Sequence, residues 1–340
     1  MKKILITGGN GFIGTNLILE LVKDKNNRVL NIDKFSHNSN SYLIKNRFKN
    51  LKNLKLDLLN STKLKKIILQ FKPDLVFHLA AETHVDSSLT NPIKHYENNT
   101  KATLNLLCIL NSALKKKSLK KNFRFLHVGT DEIYGDTNLY SKKAFDENQK
   151  LKPNNPYSAS KAAAVLMVET WNKNFGFPCI ISNSVNNYGK FQFVEKFIPR
   201  SILLAINSKN IEVYGKGKNI RTWISVTDHI KALIFLSKKG QVGQTYNISS
   251  GYKLKNIEIA KKIVKILKSR HIESKIKFVK DRLNHDRQYS INSDKIKKLG
   301  WKQSVNFDFE LKETVEWYLN KDNLSNFKNI NKHLLRKGLI

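Results

Sequence analysis

The chain has 340 residues, 40% of them hydrophobic and 10% aromatic, which is enough apolar material for a large core plus a second lobe. This excludes a disordered chain; two cysteines, Cys108 and Cys179, exclude a disulfide framework or a four-thiolate zinc site; and no apolar run is long enough to span a bilayer. Lys+Arg 61 against Asp+Glu 27 gives a formal charge of +34, but the lysines are spread along the chain, so the excess reads as a solvated surface without a nucleic-acid or membrane partner.

The first residues lack a secretory signal's long apolar stretch and small-residue cleavage site, so the expected compartment is the cytoplasm. Residues 3–7 read as a buried strand, 12–22 as a helix and 28–32 as a second strand. Strands follow at 53–56, 74–79 and 123–128, with helical periodicity at 62–70 and 96–114 between them. Next come a helix over 157–171, a strand at 179–182, a helix at 196–206 and a strand at 211–214. A helix at 227–237, strand at 245–248, helix at 256–267, strand at 275–279 and helix at 307–319 complete the pattern. Near-continuous apolar strands alternating with helices predict an α/β fold: a Rossmann-type doubly wound parallel sheet with a smaller mixed α/β C-terminal lobe. The expected boundaries are 1–182 for the sheet domain, with residues of about 226–250 returning to it, 183–320 for the lobe and 321–340 for a basic tail.

Gly8, Gly11 and Gly14 stand between the first strand and the first helix at a spacing of Gly-x-x-Gly-x-x-Gly. Gly8 permits a tight turn, Gly11 lets backbone approach a pyrophosphate, and Gly14 lets helix and strand pack closely. The helix N-terminus adds free N–H groups and a positive dipole end. Asp33, at the end of the second strand, would accept hydrogen bonds from a ribose 2′-hydroxyl and repel a 2′-phosphate, which predicts NAD rather than NADP. Asp57 ends the third strand, within reach of an adenine edge.

Tyr157 and Lys161 lie four residues apart, on one face of a helix. A nearby ammonium and a positive nicotinamide would both favour the phenolate and make Tyr157 an acid/base for a sugar hydroxyl. Just past the strand at 123–128 come Thr130, Asp131 and Glu132, where parallel sheets place their ligands. Two adjacent carboxylates facing one cavity repel, which raises one pKa and leaves an acid beside a base. Eliminating water needs such a pair: one group removes a proton beside a carbonyl while the other protonates the departing hydroxyl.

These residues resemble the nucleotide-sugar branch of the extended short-chain dehydrogenase/reductases, and within it the dTDP-glucose 4,6-dehydratase family. The likeness runs from residue 3 to about 319, through TGGNGFIG, HLAAETHVD at 78–86, GTDEIYGD at 129–136, NPYSASKAAA at 155–164, NNYG at 186–189, EKFIP at 195–199, YGKG at 214–217, the Arg221 segment and DRLNHDRQY at 281–289. The resemblance implies a homodimer acting on a nucleotide sugar, dTDP-glucose favoured, with one retained NAD. Tyr157 would take the carbon-4 hydroxyl proton, Glu132 the carbon-5 proton, and Asp131 would protonate the carbon-6 hydroxyl; Thr130 would hold the carbon-4 oxygen and Lys161 the ribose.

By the same resemblance Phe12, Ile13, Asp33, Lys34, Phe35, Ser36, Asp57, Leu58, Leu79, Ala80, Ala81, Thr83, Asn98, Tyr157, Lys161 and Asn187 would line NAD. Thr83, Thr130, Asn186, Lys196, Phe197, Glu212, Val213, Tyr214, Arg221, Asn256, Arg282 and His285 would line the nucleotide sugar. His78 and His84 lack a further His or Cys at ligand spacing, so no metal is expected. Two rivals remain: a UDP-sugar dehydratase, epimerase or decarboxylase, and a basic Rossmann-like protein that binds NAD or nucleic acid without catalysis. Asp131 argues against an epimerase or decarboxylase, and the intact set Tyr157, Lys161, Asp131 and Glu132 against a non-catalytic binder.

Overall fold

Strand β1 (Lys2–Thr7) buries its last four side chains on both faces, as a central parallel strand must. It pairs in parallel with β2 (Asn27–Asp33) on one side and β4 (Leu75–His78) on the other, Ile4 standing opposite both Val29 and Leu75. The computed structural model describes residues 1–36, 39–40, 47–137, 144–281 and 286–324. With β3 (Leu51–Lys55), β5 (Arg124–Thr130), β6 (Cys179–Ser184) and β10 (Thr245–Ile248), these strands form a seven-stranded sheet in the order β10-β6-β5-β4-β1-β2-β3. Every pairing in it is parallel. Later chain joins this sheet in β10, which pairs with β6, Thr245 opposite Ile181.

Local chemistry sets the helix ends that matter for the site. Helix Pro156–Phe175 starts with Pro at its first position and a capping box: the Asn155 side chain accepts from Ser158 N at 2.8 Å, while Ser158 Oγ accepts from Asn155 N at 3.2 Å. It ends at Gly176 in the left-handed region, φ +62°. The expected helix over 96–114 is broken at its start. Short helices Val85–Thr90 and Pro92–His95 and a π turn, Tyr96–Lys101, precede the regular stretch Ala102–Lys115. Asn91, whose side chain accepts from Lys94 N, and Pro92 at the first helical position punctuate that segment.

Two main apolar cores result. One fills the large sheet, where Phe77, Leu106, Phe125 and Ile180 are fully buried, each worth about 1.5–3 kcal/mol relative to exposure. The other joins helices Phe197–Ile206, Asn256–Lys268 and Phe307–Leu319 through Ile202, Ile263 and Leu311. Between the cores lies a small sheet, β11-β9-β7: β9 (Ile220–Ser225) runs parallel to β7 (Asn186–Tyr188) and antiparallel to β11 (Lys253–Lys255). None of these three was foreseen; two are only three residues long, too short to show alternation. The expected strands at 211–214 and 275–279 appear as β8 (Ile211–Tyr214) and β12 (Ile276–Val279), a parallel pair. Among the described residues no helix is long and apolar enough to cross a membrane.

Candidate active site

A cleft open to solvent lies at the carboxyl ends of the large sheet's strands. Its floor is the glycine loop. Gly8 has φ +74°, and a Cβ there would fall 2.6 Å from the Ala80 backbone. A Cβ on Gly14 would meet Gly8 O and the Gly9 Cα at 2.5 Å. Gly11 caps helix Phe12–Leu21 with no side-chain acceptor, so the first N–H groups face an open cradle suited to a pyrophosphate. Sequence reasoning passed over Gly9, whose N–H donates to Asn31 Oδ1 at 2.9 Å in a gap where any Cβ would collide with that amide.

Asp33 stands at the end of β2 on the cleft wall. Its Oδ2 accepts from Asn10 N at 3.0 Å and its Oδ1 from Phe35 N at 2.8 Å. Burial pushes its pKa up, and the two N–H bonds pull against that. Beside it, Lys34 Nζ donates to Glu82 Oε1 and to Asn98 Oδ1, both at 2.6 Å. Burial opposes ionisation of Glu82, but the Lys34 and Lys94 ammoniums hold its carboxyl below the usual range. Gly8, Gly11, Phe12, Ile13, Gly14, Asp33, Lys34, Ser36, Asp57, Leu58, Leu79, Ala80, Ala81, Thr83, Asn98 and Asn187 all line the cleft. Phe35 does not; its backbone sits in the left-handed region, φ 56°, and contributes its N–H to Asp33 instead.

The proton-handling groups converge at the other end. Strand β5 delivers Thr130, and a 3₁₀ turn, Asp131–Tyr134, follows directly. Thr130 Oγ1 donates to Asp131 Oδ1 and accepts from Glu132 N, each at 3.4 Å, and is hydrogen-bonded to Tyr157. Asp131 is 3% exposed, and its Oδ2 has no hydrogen-bond partner among the described residues. Burial first, then the Glu132 charge, push its pKa up to about 8, against the pull of Arg221. Both effects favour the neutral, proton-bearing form of Asp131.

Lys161, one turn along the helix from Tyr157, donates from Nζ to Val128 O at 2.8 Å, and burial pushes its pKa down to about 8. The expectation for Tyr157 needs correction here. Burial, and then the Glu132 charge, raise the phenol pKa above its ordinary value, and no lowering by Lys161 accompanies them. Without ligands the phenol is neutral, so the positive charge that would ionise it has to arrive with a ligand.

On the sugar side Thr83, Thr130, Asn186 and Lys196 line the cleft, and Lys196 Nζ donates to Thr83 O at 2.7 Å. The other residues expected there lie off its wall. Phe197 packs against the second core, Val213 is fully buried in it, and Glu212 pairs with Arg200 at 3.0 Å. Asn256 opens a helix, its N–H on Asn219 O, and Tyr214 ends β8 outside the lining. Arg221 is buried, with its guanidinium donating to the carbonyls of Ile220 at 2.9 Å and Asp286 at 2.9 Å, 4.5 Å over the Tyr289 ring. It therefore braces a loop where an oxyanion partner was expected. Arg282 and His285 lie outside the described residues.

Glu82, Ser184, Gln192, Phe193, Glu195 and His229 also line the cleft and were missed. Ser184 had a signal, since it closes a strand at the ligand edge of the sheet; His229 is buried and comes from a helix with no motif around it. His78 is held between Thr7 Oγ1 at 2.6 Å and Thr103 Oγ1 at 2.8 Å, a structural position. Among the described residues no group of three or more His, Cys, Asp or Glu side chains is arranged to hold a metal ion.

A family model described as GDP-mannose 4,6 dehydratase matches residues 5–314. The chain is 39% identical to a dTDP-glucose 4,6-dehydratase of Haemophilus influenzae over 94% of this chain and 98% of that protein. It is 40% identical to one of Salmonella typhimurium over 93% of this chain and 92% of that protein. Among solved structures, dTDP-glucose 4,6-dehydratase from Bacillus anthracis in complex with NAD superposes with a TM-score of 0.85 at 32% identity, covering 97% of this chain and 100% of that one.

Proposed function

The chain belongs to the dTDP-glucose 4,6-dehydratase family, and from that premise we propose that it is a hydro-lyase that dehydrates dTDP-glucose to the 4-keto-6-deoxy sugar on a retained NAD. The observation that carries this reading is the adjacent pair Asp131 and Glu132 beside Tyr157, the first a buried carboxyl with a pKa raised to about 8. The open N-terminal cradle at Gly11 and the buried carboxylate of Asp33 fit a dinucleotide with a free ribose 2′-hydroxyl. Asp33, Lys34 and Asp57 would hold its adenosine end and Lys161 the nicotinamide ribose.

When bound, NAD would accept and later return a hydride and bring one positive charge beside the buried phenol. Tyr157 then takes the proton of the carbon-4 hydroxyl, and Thr130 steadies the oxygen left behind. The ketone acidifies the hydrogen on carbon 5. Glu132 removes that proton, the electron pair forms the carbon 5–carbon 6 double bond, and the carbon-6 hydroxyl departs as water with the Asp131 proton. Glu132 then returns its proton to carbon 5, and exchange through solvent passes the proton held by Tyr157 to Asp131, which resets the three groups with no net redox. The division of labour we infer places NAD on the large sheet and the sugar nucleotide against the second core.

We also read the chain as a cytoplasmic homodimer. Supporting the dimer is an exposed apolar strip on packed helices, Leu89, Ile93, Tyr96 and Leu166, between 44% and 71% exposed. Incubation with dTDP-glucose and, separately, UDP-glucose tests the function. The expected product from dTDP-glucose is lighter by one water and absorbs in alkali; no water loss from either sugar would overturn the reading.

A further inference from the structure

The lysines are spread along the chain, yet the fold does not leave them spread. All seven strands of the large sheet point the same way, so every segment that enters a strand, and the end of every helix that leads into one, lies at the edge opposite the cleft. The contacts tie these segments into one surface. Burial, then the Lys238 and Arg124 charges, lower the Lys2 pKa, which places three chain segments side by side. Asp74 accepts from Lys3 N at 2.8 Å and pairs with Lys120 at 2.7 Å. Lys115 Nζ sits 4.9 Å over the Phe175 ring. A shallow basin beside Met1 is walled by Lys25, Arg28, Arg47 and Lys49.

The segment 115–121 alone carries five lysines and no acid, and all five are exposed. Helix C-termini at this edge favour some cations through their dipoles, but that effect is confined to the last turn and calls for one or two per helix. Two exposed apolar side chains stand among the lysines, Met1 at 76% and Phe175 at 47%.

We propose that this edge of the sheet is a docking surface for an anionic phospholipid bilayer. The chemistry favours lipid over nucleic acid on three grounds. The charge is carried mostly by lysine, a point charge that suits a fluid headgroup layer, and Arg124 already spends its guanidinium on the Gly240 carbonyl at 2.9 Å. Of the aromatics among the cations, Phe48 is half-buried and Phe175 has Lys115 over its ring, so the face offers no series of free rings as a base-stacking platform requires. Isolated exposed apolar tips in a basic field are the arrangement that inserts among headgroups. The face is broad: six adjacent strands at about 4.8 Å span roughly 25 Å, a surface that meets a membrane flat and leaves the cleft mouth facing water.

The test is co-sedimentation with vesicles of phosphatidylcholine alone and of phosphatidylcholine mixed equally with phosphatidylglycerol, at low and at high salt. The full chain is expected to bind only the anionic vesicles and to be released by salt. The triple variant Lys116→Glu, Lys117→Glu, Lys121→Glu is expected to bind them at least about thirtyfold more weakly while turning over soluble substrate as before. Reversal of three exposed lysines on helix Asn256–Lys268 of the second core, Lys261, Lys265 and Lys268, is expected to leave vesicle binding intact. Absence of binding to anionic vesicles at low salt, equal loss in both triple variants, or displacement from vesicles by duplex DNA at equal phosphate would each overturn the proposal.

Discussion

The two ends of the cleft differ in how finished they are. At the cofactor end the polar atoms are already set: Asp33 is fixed by two N–H groups and Gly9 is locked to Asn31. At the sugar end the lining cation Lys196 is occupied by the protein itself, on Thr83 O, and outside the lining Arg221 is held by the carbonyls of residues 220 and 286. The cofactor end is thus preorganised, while the sugar end must give up internal hydrogen bonds when an anionic ligand enters. The proton-transfer groups sit where the two ends meet, on a strand end and a helix start whose positions neither half can shift alone.

The sharpest way to break this division is Glu132→Gln. Turnover is expected to fall about a thousandfold while NAD content after purification stays that of the parent; full turnover would remove Glu132 from the role of base. Next, Asp33→Ala is expected to weaken NAD binding roughly tenfold to a hundredfold, measured by titration of cofactor-stripped protein, because a buried charged acceptor is lost. Unchanged affinity would show that the ribose is held elsewhere. At the sugar end Lys196→Ala is expected to raise KM for the nucleotide sugar several-fold and leave cofactor affinity alone. A fall in cofactor affinity instead would erase the contrast between the ends.

The smallest effect concerns stability. Burial and the Glu132 charge push the Asp131 pKa up to about 8 in the folded chain, from 3.8 for an ordinary Asp carboxyl. Unfolding therefore lets it release a proton between those values, and its contribution to stability, complete in acid, is lost as pH climbs through that window. Asp131→Asn is expected to raise Tm at pH 8 by a few degrees, at about 2 °C per kcal/mol, and to leave it unchanged at pH 4. Equal shifts at both pH values would mean that the carboxyl is already ionised in the folded chain.

Much of this was legible in the residues. The glycine spacing announces the loop because only a residue without Cβ fits at positions 8 and 14, and Tyr157 with Lys161 share a face because a helix repeats near four. Adjacency alone put Asp131 and Glu132 at one strand end. What stayed hidden is non-local. The tie from Lys34 to Glu82 spans 48 residues, and no periodicity encodes it. Arg221 carried a binding signal, but one of the two carbonyls that occupy it, that of Asp286, lies 65 residues downstream. For Tyr157, spacing gives the distance to an ammonium and says nothing about burial, which dominates the phenol's ionisation.

The return of β10 to the large sheet has a mechanical corollary. Buried residues alternate between the two cores along the chain, with passages between 185 and 188, 223 and 224, 248 and 259, 267 and 291, and 301 and 307. A molecule stitched by several crossings has no single hinge, so opening the cleft is a bend shared among many backbone segments and is correspondingly small. For the same reason the first 182 residues are not a severable unit: cutting there strips an edge strand from the sheet and leaves β6 with an open, apolar flank.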